Sequence, residues 1–368
     1  MTVEINQMIN IIEDFMERED LYSLDIGGCI GSGIFRICIN TVTHYLDFTN
    51  ILVVEGCQDF VEMMKERIPN HIFYAEAIST MWDDPFVKDS YETPDFMKHD
   101  LVYTTAPLNF NRYPLMVIND AHLIDSTILQ KIRDNFYGKI IMICDPLDYG
   151  GDKWLHVPYV IDSLTRLSVI QAYARSLYEI ETRAIDKNII CRFKDAGTVS
   201  IRSIGKQDKN QYVTPCEDVI KLVNERRKPE LKRGQKIVCK NRYINSYTGE
   251  DGCSHIFTNH SMGTLISNKQ LINCMYNVKL HNSRHDIVCD LTMDINNTKH
   301  YDTYVEPANI IPIEEMRHHK FNSIVLVLPE YETIGDEAPK YRGLTRREFY
   351  SVLRSTTDLT IGHLKMKG

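Results

Sequence analysis

Short, uniformly apolar runs separated by helix-length stretches constrain this chain more than any other feature. "YSLDI", "NILVVEG", "PLMVINDAH" and "GKIIMICDP" are each long enough for one strand and carry almost no polar alternation. A strand that reads apolar on every residue is covered on both faces, and helices between such strands supply the cover. Between the runs, "FRICINTVTHYL" and "CQDFVEMMKERI" repeat apolar residues at helical spacing, as Ile5, Met8, Ile11, Ile12, Phe15 and Met16 do near the N-terminus. The expectation is an α/β protein built on a parallel sheet.

The pattern restarts further on. After "LTRLSVIQAYARSLYEIETRAIDKN" come the strand-like "KIVCKNRYIN", a turn-rich and β-rich span at 249–306, the strongly apolar "FNSIVLVLP", and a helix leading into a last strand. At 368 residues the chain is long enough for two domains with cores of their own. The boundary falls between about Tyr159 and Thr182, giving domains at 1–165 and 166–368. The first carries a polar, proline-bearing insertion near 82–113, the second its β-rich insertion near 249–306.

Composition narrows the function classes. With 43% hydrophobic and 25% charged residues this is an ordinary globular chain. No apolar run approaches the roughly 18–20 residues that span a bilayer. The start "MTVEINQMINIIEDFM" has acids where a signal peptide has a basic start and an apolar stretch, so a cytoplasmic, intracellular setting is expected. The 10 cysteines include no Cys-x-x-Cys pair and read as free, mostly buried thiols. A formal net charge of −8 argues against a uniformly positive surface while leaving room for a local basic groove.

The stretch "LDIGGCIGSGIFRICIN" is a strand, a glycine turn and a helix, the unit that cradles phosphate in nucleotide folds. Taken with "VINDAHLID", "CDPLD", "YEIETRAI", "FTNHSMGTLIS", "FNSIVLVLP" and "FYSVLRSTTDL", in that order, it resembles the superfamily 1 helicases, especially the phage and RecD-like type. The resemblance spans nearly the whole chain. It implies two RecA-like parallel-sheet lobes with a small SH3-like insertion in the second. It also implies nucleotide contacts at Gly28, Gly31, Ser32 and Gly33, at Gln7 upstream and at Arg183.

The departures from the family pattern fall on the reacting centre. Where the family has the phosphate-binding lysine and the metal-binding hydroxyl, this chain has Ile34 and Phe35. The strand aspartate is Asn119, followed by Asp120 at the family's glutamate, then Ala121 and His122. Asp145 is kept in the next motif, with Asp148 in place of its glutamine. The arginine-finger position is Ser355, and Arg354 one residue earlier is expected to point elsewhere. Such a finger contributes roughly 10³–10⁵ in rate to phosphoryl transfer where it is present.

These losses lead to the expectation of a pseudoenzyme. It would be a degenerate helicase-like protein without ATPase activity, with neither ATP nor Mg²⁺ as a working cofactor, serving as a nucleic-acid-binding or assembly module with protein partners, in a viral or phage complex. Two alternatives remain open. One is an active NTPase or translocase that borrows a cation such as Arg36 or Arg354. The other is a structural subunit that binds neither nucleotide nor nucleic acid.

The densest basic stretch, "NERRKPELKRGQKIVCKNR", offers Arg226, Arg227, Lys232, Arg233, Lys240 and Arg242 as phosphate-backbone contacts, or simply as a solvated loop. His318 and His319, ahead of "FNSIVLVLP", are candidates for contacting a strand of nucleic acid, or else an exposed loop. Cys253, His255, His260, His281, His285 and Cys289 cluster in sequence, but only His281 and His285 have ligand-like spacing, so no metal site is expected. No Gly-x-Ser-x-Gly elbow is present.

Overall fold

The computed structural model describes residues 2–28, 32–57, 70–73, 110–124, 126–146, 148, 157–161, 193–204, 210–227, 231–240, 245–248, 254–257, 260–267, 275–281, 286–293, 303–331 and 344–366. The expected insertion near 82–113 lies outside them up to residue 109, and so does most of the expected boundary region between Tyr159 and Thr182.

The first lobe contains β1 (Thr2–Val3), α1 (Ile5–Glu17), β2 (Ser23–Gly28), α2 (Ile34–Val42), β3 (Ile51–Glu55), β4 (His71–Phe73), β5 (Leu115–Asn119), α3 (Ser126–Asn135), β6 (Lys139–Cys144) and β7 (Tyr159–Ile161). Its strands form one seven-stranded sheet in the order β1-β7-β2-β6-β5-β3-β4, parallel at every pairing. The uniformly apolar runs are explained by what covers them. Ile51, Val53, Leu115, Val117, Ile141 and Ile143 pack with α1 and α2 on one face. Leu52, Val54, Met116, Ile118, Ile140 and Met142 pack with Leu129 and Ile132 of α3 on the other. Successive residues of a strand thus enter two different cores.

Helix α1 illustrates how local chemistry fixes an element. Met8, Ile12 and Phe15 share its buried face, and Glu4 and Gln7 form a reciprocal capping box at its start. At its end the Lys139 ammonium donates to the carbonyls of Phe15, Met16 and Arg18 at 2.6, 2.9 and 2.7 Å. A cation there complements the helix dipole and ties α1 to the start of β6.

The second lobe comprises β8 (Lys194–Thr198), β9 (Gln211–Thr214), α4 (Glu217–Arg227), the strands β10 (Lys236–Cys239), β11 (Asn245–Thr248), β12 (Ser254–Phe257), β13 (Met262–Leu265), β14 (Tyr276–Leu280), β15 (Asp286–Cys289), β16 (Leu291–Thr292) and β17 (Thr303–Pro307), then β18 (Ile310–Pro312), α5 (Ile313–Met316), β19 (Phe321–Tyr331), α6 (Arg346–Arg354) and β20 (Thr356–Met366). A five-stranded parallel sheet, β18-β9-β19-β20-β8, is its core. Inserted between α4 and β18 is a six-stranded sheet, β15-β14-β13-β10-β17-β16, antiparallel except at its β16–β17 edge, with a separate β11–β12 hairpin. The inserted sheet encloses its own core of Ile237, Phe257, Val278, Ile287 and Val305. It takes in Lys236–Cys239, ahead of the span read from sequence, because β10 pairs with both β13 and β17. Two parallel-sheet lobes with a β-rich insertion in the second are therefore what the chain forms. Among the described residues no helix is long and apolar enough to cross a membrane.

Candidate functional site

The parallel register of the first sheet brings the carboxyl ends of β2, β6, β5 and β3 to one edge, where open α/β sheets place their ligand sites. The glycine turn follows β2. A Cβ on Gly28 would collide with the Ser32 hydroxyl and the Ile34 side chain, so both already lie over the turn. Ser32 is buried and its Oγ accepts the Ile34 N–H at 3.4 Å. Gly33, at φ 67°, supplies the left-handed conformation that opens α2. Ile34 is buried in the α1–α2 core, Phe35 is half-buried against it, and Arg36 is exposed. Gly31 and Arg183 lie outside the described residues. Gln7 is exposed, and its side-chain oxygen accepts the Glu4 N–H at 3.1 Å.

At the ends of β3 and β5 sits a pairing the sequence did not suggest. Glu55 is fully buried, and Asn119 Nδ2 lies 3.0 Å from each of its carboxylate oxygens. Asn119 is therefore the hydrogen-bond donor to a buried carboxylate. Asp120 follows in the left-handed region at φ 48°, unusual for a residue with a Cβ. A Cβ on Gly56 would run into the Asp120 carbonyl, so Gly56 is what lets the two strand ends approach.

The second lobe reaches this edge with one face of α6. Thr345 and Glu348 form a capping box that starts the helix, and Phe349, Val352 and Leu353 bury its other face. That leaves Tyr350, Ser351 and Arg354 directed at the first lobe. Arg354 forms an ion pair with Asp120, donates to Asp148 Oδ2 at 2.9 Å, and has Nε 3.5 Å from Asp145 Oδ2. The Tyr350 hydroxyl donates to Asp145 at 2.7 Å and the Ser351 hydroxyl to Asp148. Arg317, just after α5, places Nε 3.4 Å from Asp148 Oδ1 and donates to the Asp148 carbonyl.

His122 closes the network from the first lobe. Its Nδ1 accepts the Asp145 N–H at 3.1 Å, which leaves Nε2 to donate to Asp148 Oδ2 at 3.3 Å. Arg354 was expected from sequence to point elsewhere. It instead joins the lobes, and Ser355, which aligned with the finger position, is the buried C-cap residue of α6. The one-residue difference follows from where the helix ends.

The charges balance in a definite way. Burial alone would raise Asp148 and Asp120, but Arg317, His122 and Arg354 hold Asp148 well below the usual carboxylate range, and Arg354 with His122 holds Asp120 below it. Burial wins at Asp145, whose carboxyl is pushed up despite Arg354. Burial disfavours the Arg354 charge, yet the three acids raise its pKa well above the ordinary value. Two guanidiniums thus meet three carboxyls, and Asp145 is the one whose charge is disfavoured.

A second junction lies beside the first. Glu315, in α5, is buried between Lys240 and His260 Nδ1, the latter at 2.9 Å. His260 comes from the inserted sheet and stacks on His318, with ring centroids 4.1 Å apart. His318 Nδ1 lies 3.3 Å from the Gly56 carbonyl, and the Cys57 thiol donates to the His318 carbonyl at 3.3 Å. His319 Nε2 bonds the His260 carbonyl at 2.6 Å. His318 and His319, read from sequence as nucleic-acid contacts or else an exposed loop, are therefore buried where both lobes and the insertion meet. Lys240 is engaged with Glu315, while Lys232 and Arg233 are exposed ahead of β10. Arg226 and Arg227 end α4, and Arg242 lies outside the described residues. Among the described residues no cluster of His, Cys, Asp and Glu could hold a metal ion.

This junction makes stability depend on pH. Burial, then the neighbouring His260, sets the His318 pKa well below its ordinary 6.5. The unfolded chain therefore takes up this proton first, so the contribution is complete above about pH 6.5 and falls as the pH drops below it. Burial would raise Glu315, but His260 and Lys240 hold it at about 2, so its contribution is present above its ordinary 4.5 and is lost between 4.5 and about 2. The thermal midpoint is expected to fall between pH 7.5 and 5.5 in the native chain, and to fall less in His318→Gln. Equal slopes in the two proteins would contradict this.

No family model matches the chain, and no curated protein matches it. Solved structures do. Pif1 from Bacteroides bound to ssDNA aligns with a TM-score of 0.52 at 11% identity, covering 98% of this chain and 92% of that one. A structure of two coordinating Pif1 helicases at forked dsDNA gives 0.51 at 11% identity with the same coverage. The chain shares the fold of these Pif1 structures. A Bacteroides Pif1 helicase in complex with ADP-AlF3 and ssDNA aligns at 0.50 and 10% identity over 98% and 92% of the two chains. At these identities the likeness is one of fold and carries no residue roles with it.

Proposed function

We propose that this chain is a degenerate helicase-like protein of the phage or RecD-like type. It does not hydrolyse ATP, works inside the cell, and serves as a nucleic-acid-binding or assembly module in a larger, viral or phage complex. The observation that carries this reading is Arg354, ion-paired to Asp120 and Asp148 where the lobes meet. The residues at that edge do not fit a nucleoside triphosphate with its metal. Ile34 offers hydrocarbon where a multiply charged anion needs a cation, and Phe35 has no oxygen for a metal. The Asn119 amide is engaged by Glu55, and the Ile34 N–H is directed to Ser32. Nucleic-acid binding is supported by the ssDNA present in the Pif1 structures and by the exposed Lys232 and Arg233.

The test is a titration with ATP and Mg²⁺, with and without single-stranded DNA, following phosphate release and thermal midpoint. Neither is expected to change. A midpoint that climbs with ATP concentration, as mass action requires of a ligand of the folded state, together with phosphate release would overturn the proposal. That result would favour the active-NTPase alternative.

Binding to an oligo-dT strand is expected to weaken with salt. Lys232→Glu with Arg233→Glu should flatten the log–log slope by about 0.7 for each phosphate contact removed. Complete lack of retention at low salt would favour the purely structural alternative.

A further inference from the structure

The edge of the first sheet opposite the lobe junction carries an exposed aromatic surface. Tyr22 precedes β2, Tyr137 precedes β6, and Phe48 lies in the short 3-10 turn ahead of β3. Their side chains are 66%, 80% and 42% exposed, and Tyr45 close by is 38% exposed. Among the described residues these are all the large aromatics in that exposed class. They gather because the strands are in register, with Ser23 opposite Ile140, Lys139 opposite Leu115, and Leu115 opposite Ile51. Adjacent strands lie ~4.8 Å apart, so the patch crosses roughly 14 Å from β2 to β3.

What surrounds the rings decides what they can take. Asp14, Glu17, Glu19, Asp20 and Asp47 are exposed at this edge. The nearby cations are engaged, the exposed Arg112 ahead of β5 with the ring and hydroxyl of Tyr113. Arg18 forms a two-pronged pair with Asp20, and Lys139 donates to the end of α1. A single-stranded nucleic-acid platform sets its aromatics among lysines and arginines; here they stand among carboxylates, which repel phosphate. A second copy of a chain with net charge −8 would bring like charges together. A guanidinium fits both features, since its plane stacks on a tyrosine face while its donors pair with a carboxylate.

We propose that the Tyr22–Tyr137–Phe48 surface docks an arginine-bearing segment of a partner protein. The surface lies at the opposite edge of the sheet from the lobe junction, so its test is independent of whether that junction binds nucleotide.

The full chain would be titrated with a fluorescein-labelled Arg-Gly-Gly repeat peptide and followed by anisotropy, alongside the same peptide with lysine for arginine. Binding is expected to be salt-sensitive and weaker for the lysine peptide. Tyr22→Ala with Tyr137→Ala should weaken it about tenfold through two lost stacking faces. Glu19→Lys with Asp47→Lys should weaken it independently, and all four side chains are exposed enough for the fold to tolerate replacement. The proposal is overturned by absence of arginine-peptide binding, or by equal affinity in native and variant chains. It is also overturned if oligo-dT binds the native chain and is lost in the tyrosine variant, which would give the surface to nucleic acid. A concentration-dependent dimer abolished by the same variant would give it to a second copy.

Discussion

Replacing Arg354 by alanine is expected to destabilise the chain by about 3–5 kcal/mol, the range seen when one partner of a buried ion pair is removed. The magnitude comes from what stays behind. Asp148 and Asp145 are almost fully buried, Asp120 is 14% exposed, and without Arg354 the second lobe faces them with Arg317 at Asp148 and the more distant Lys320 at Asp120. The sign of the pH dependence distinguishes this from a simple loss of packing. In the native chain Asp148 and Asp120 have depressed pKa values, so their contribution is present above the ordinary 3.8 and is lost as the pH falls below it. In the variant, burial without the guanidinium favours the protonated forms of Asp145 and Asp120, while Arg317 still holds Asp148 down, so the variant should lose less stability than the native chain as the pH falls from 8 towards 5. The gap between the two proteins should therefore narrow on acidification.

Urea unfolding at several pH values measures that gap, and small-angle scattering should show a larger radius of gyration if the lobes part. Arg354→Lys keeps the charge but loses the fork that reaches Asp120 and Asp148 at once, so it should fall between the native chain and alanine. A change within about 0.5 kcal/mol for Arg354→Ala, the range of an ordinary surface substitution, would remove the ion-paired junction from the account.

The parts of this molecule that were legible in its sequence are those whose physics is local. Runs such as "ILVVEG" and "KIIMIC" say that both faces of a strand are covered, and both faces are. The restart of the pattern foreshadowed a second parallel sheet, and the turn-rich span foreshadowed the inserted one. The site was legible only as a set of departures, because its meaning lies in contacts between distant residues. Asn119 read as a lost charge, and its role as donor to Glu55 needed a contact 64 residues away. Glu55 itself carried a faint signal, a lone acid closing an apolar strand.

Arg354 was expected to point elsewhere. The resemblance put the finger position at Ser355, whereas the helix ends at Arg354 and the face toward the first lobe is set by Tyr350, Ser351 and Arg354 at helical spacing. That spacing, beside the acids in "NDAH" and "CDPLD", was the signal that could have found it. His318 and His319 looked like a polar loop because their partners, Gly56 and His260, are remote in the chain.

Placing an aspartate at 119, as the superfamily 1 pattern has it, by Asn119→Asp is expected to damage the protein without giving it activity. The substitution is nearly isosteric, so its effect is electrical. The Asn119 amide nitrogen sits 3.0 Å from both oxygens of Glu55, whose side chain is fully buried. An aspartate there would exchange two hydrogen bonds to a buried carboxylate for a second acid at the same distance. Like charges that close cannot both ionise in a buried site, so one carboxyl must hold a proton. The expected loss is about 3 kcal/mol or more at pH 7.5, as for a buried charge stripped of its partner. It should diminish as the pH falls and the shared proton becomes easier to hold.

The double change Asn119→Asp with Glu55→Gln moves the amide to the other side of the pair and should recover much of the loss. That recovery is the signature of a coupled pair, because independent sites would give additive effects. On the proposed reading, in which no metal sits beside Asn119, an amide that satisfies Glu55 is the more stable choice. Wild-type stability for Asn119→Asp, or phosphate release from ATP on adding Ile34→Lys and Phe35→Thr to it, would show that this edge still keeps the logic of an NTPase.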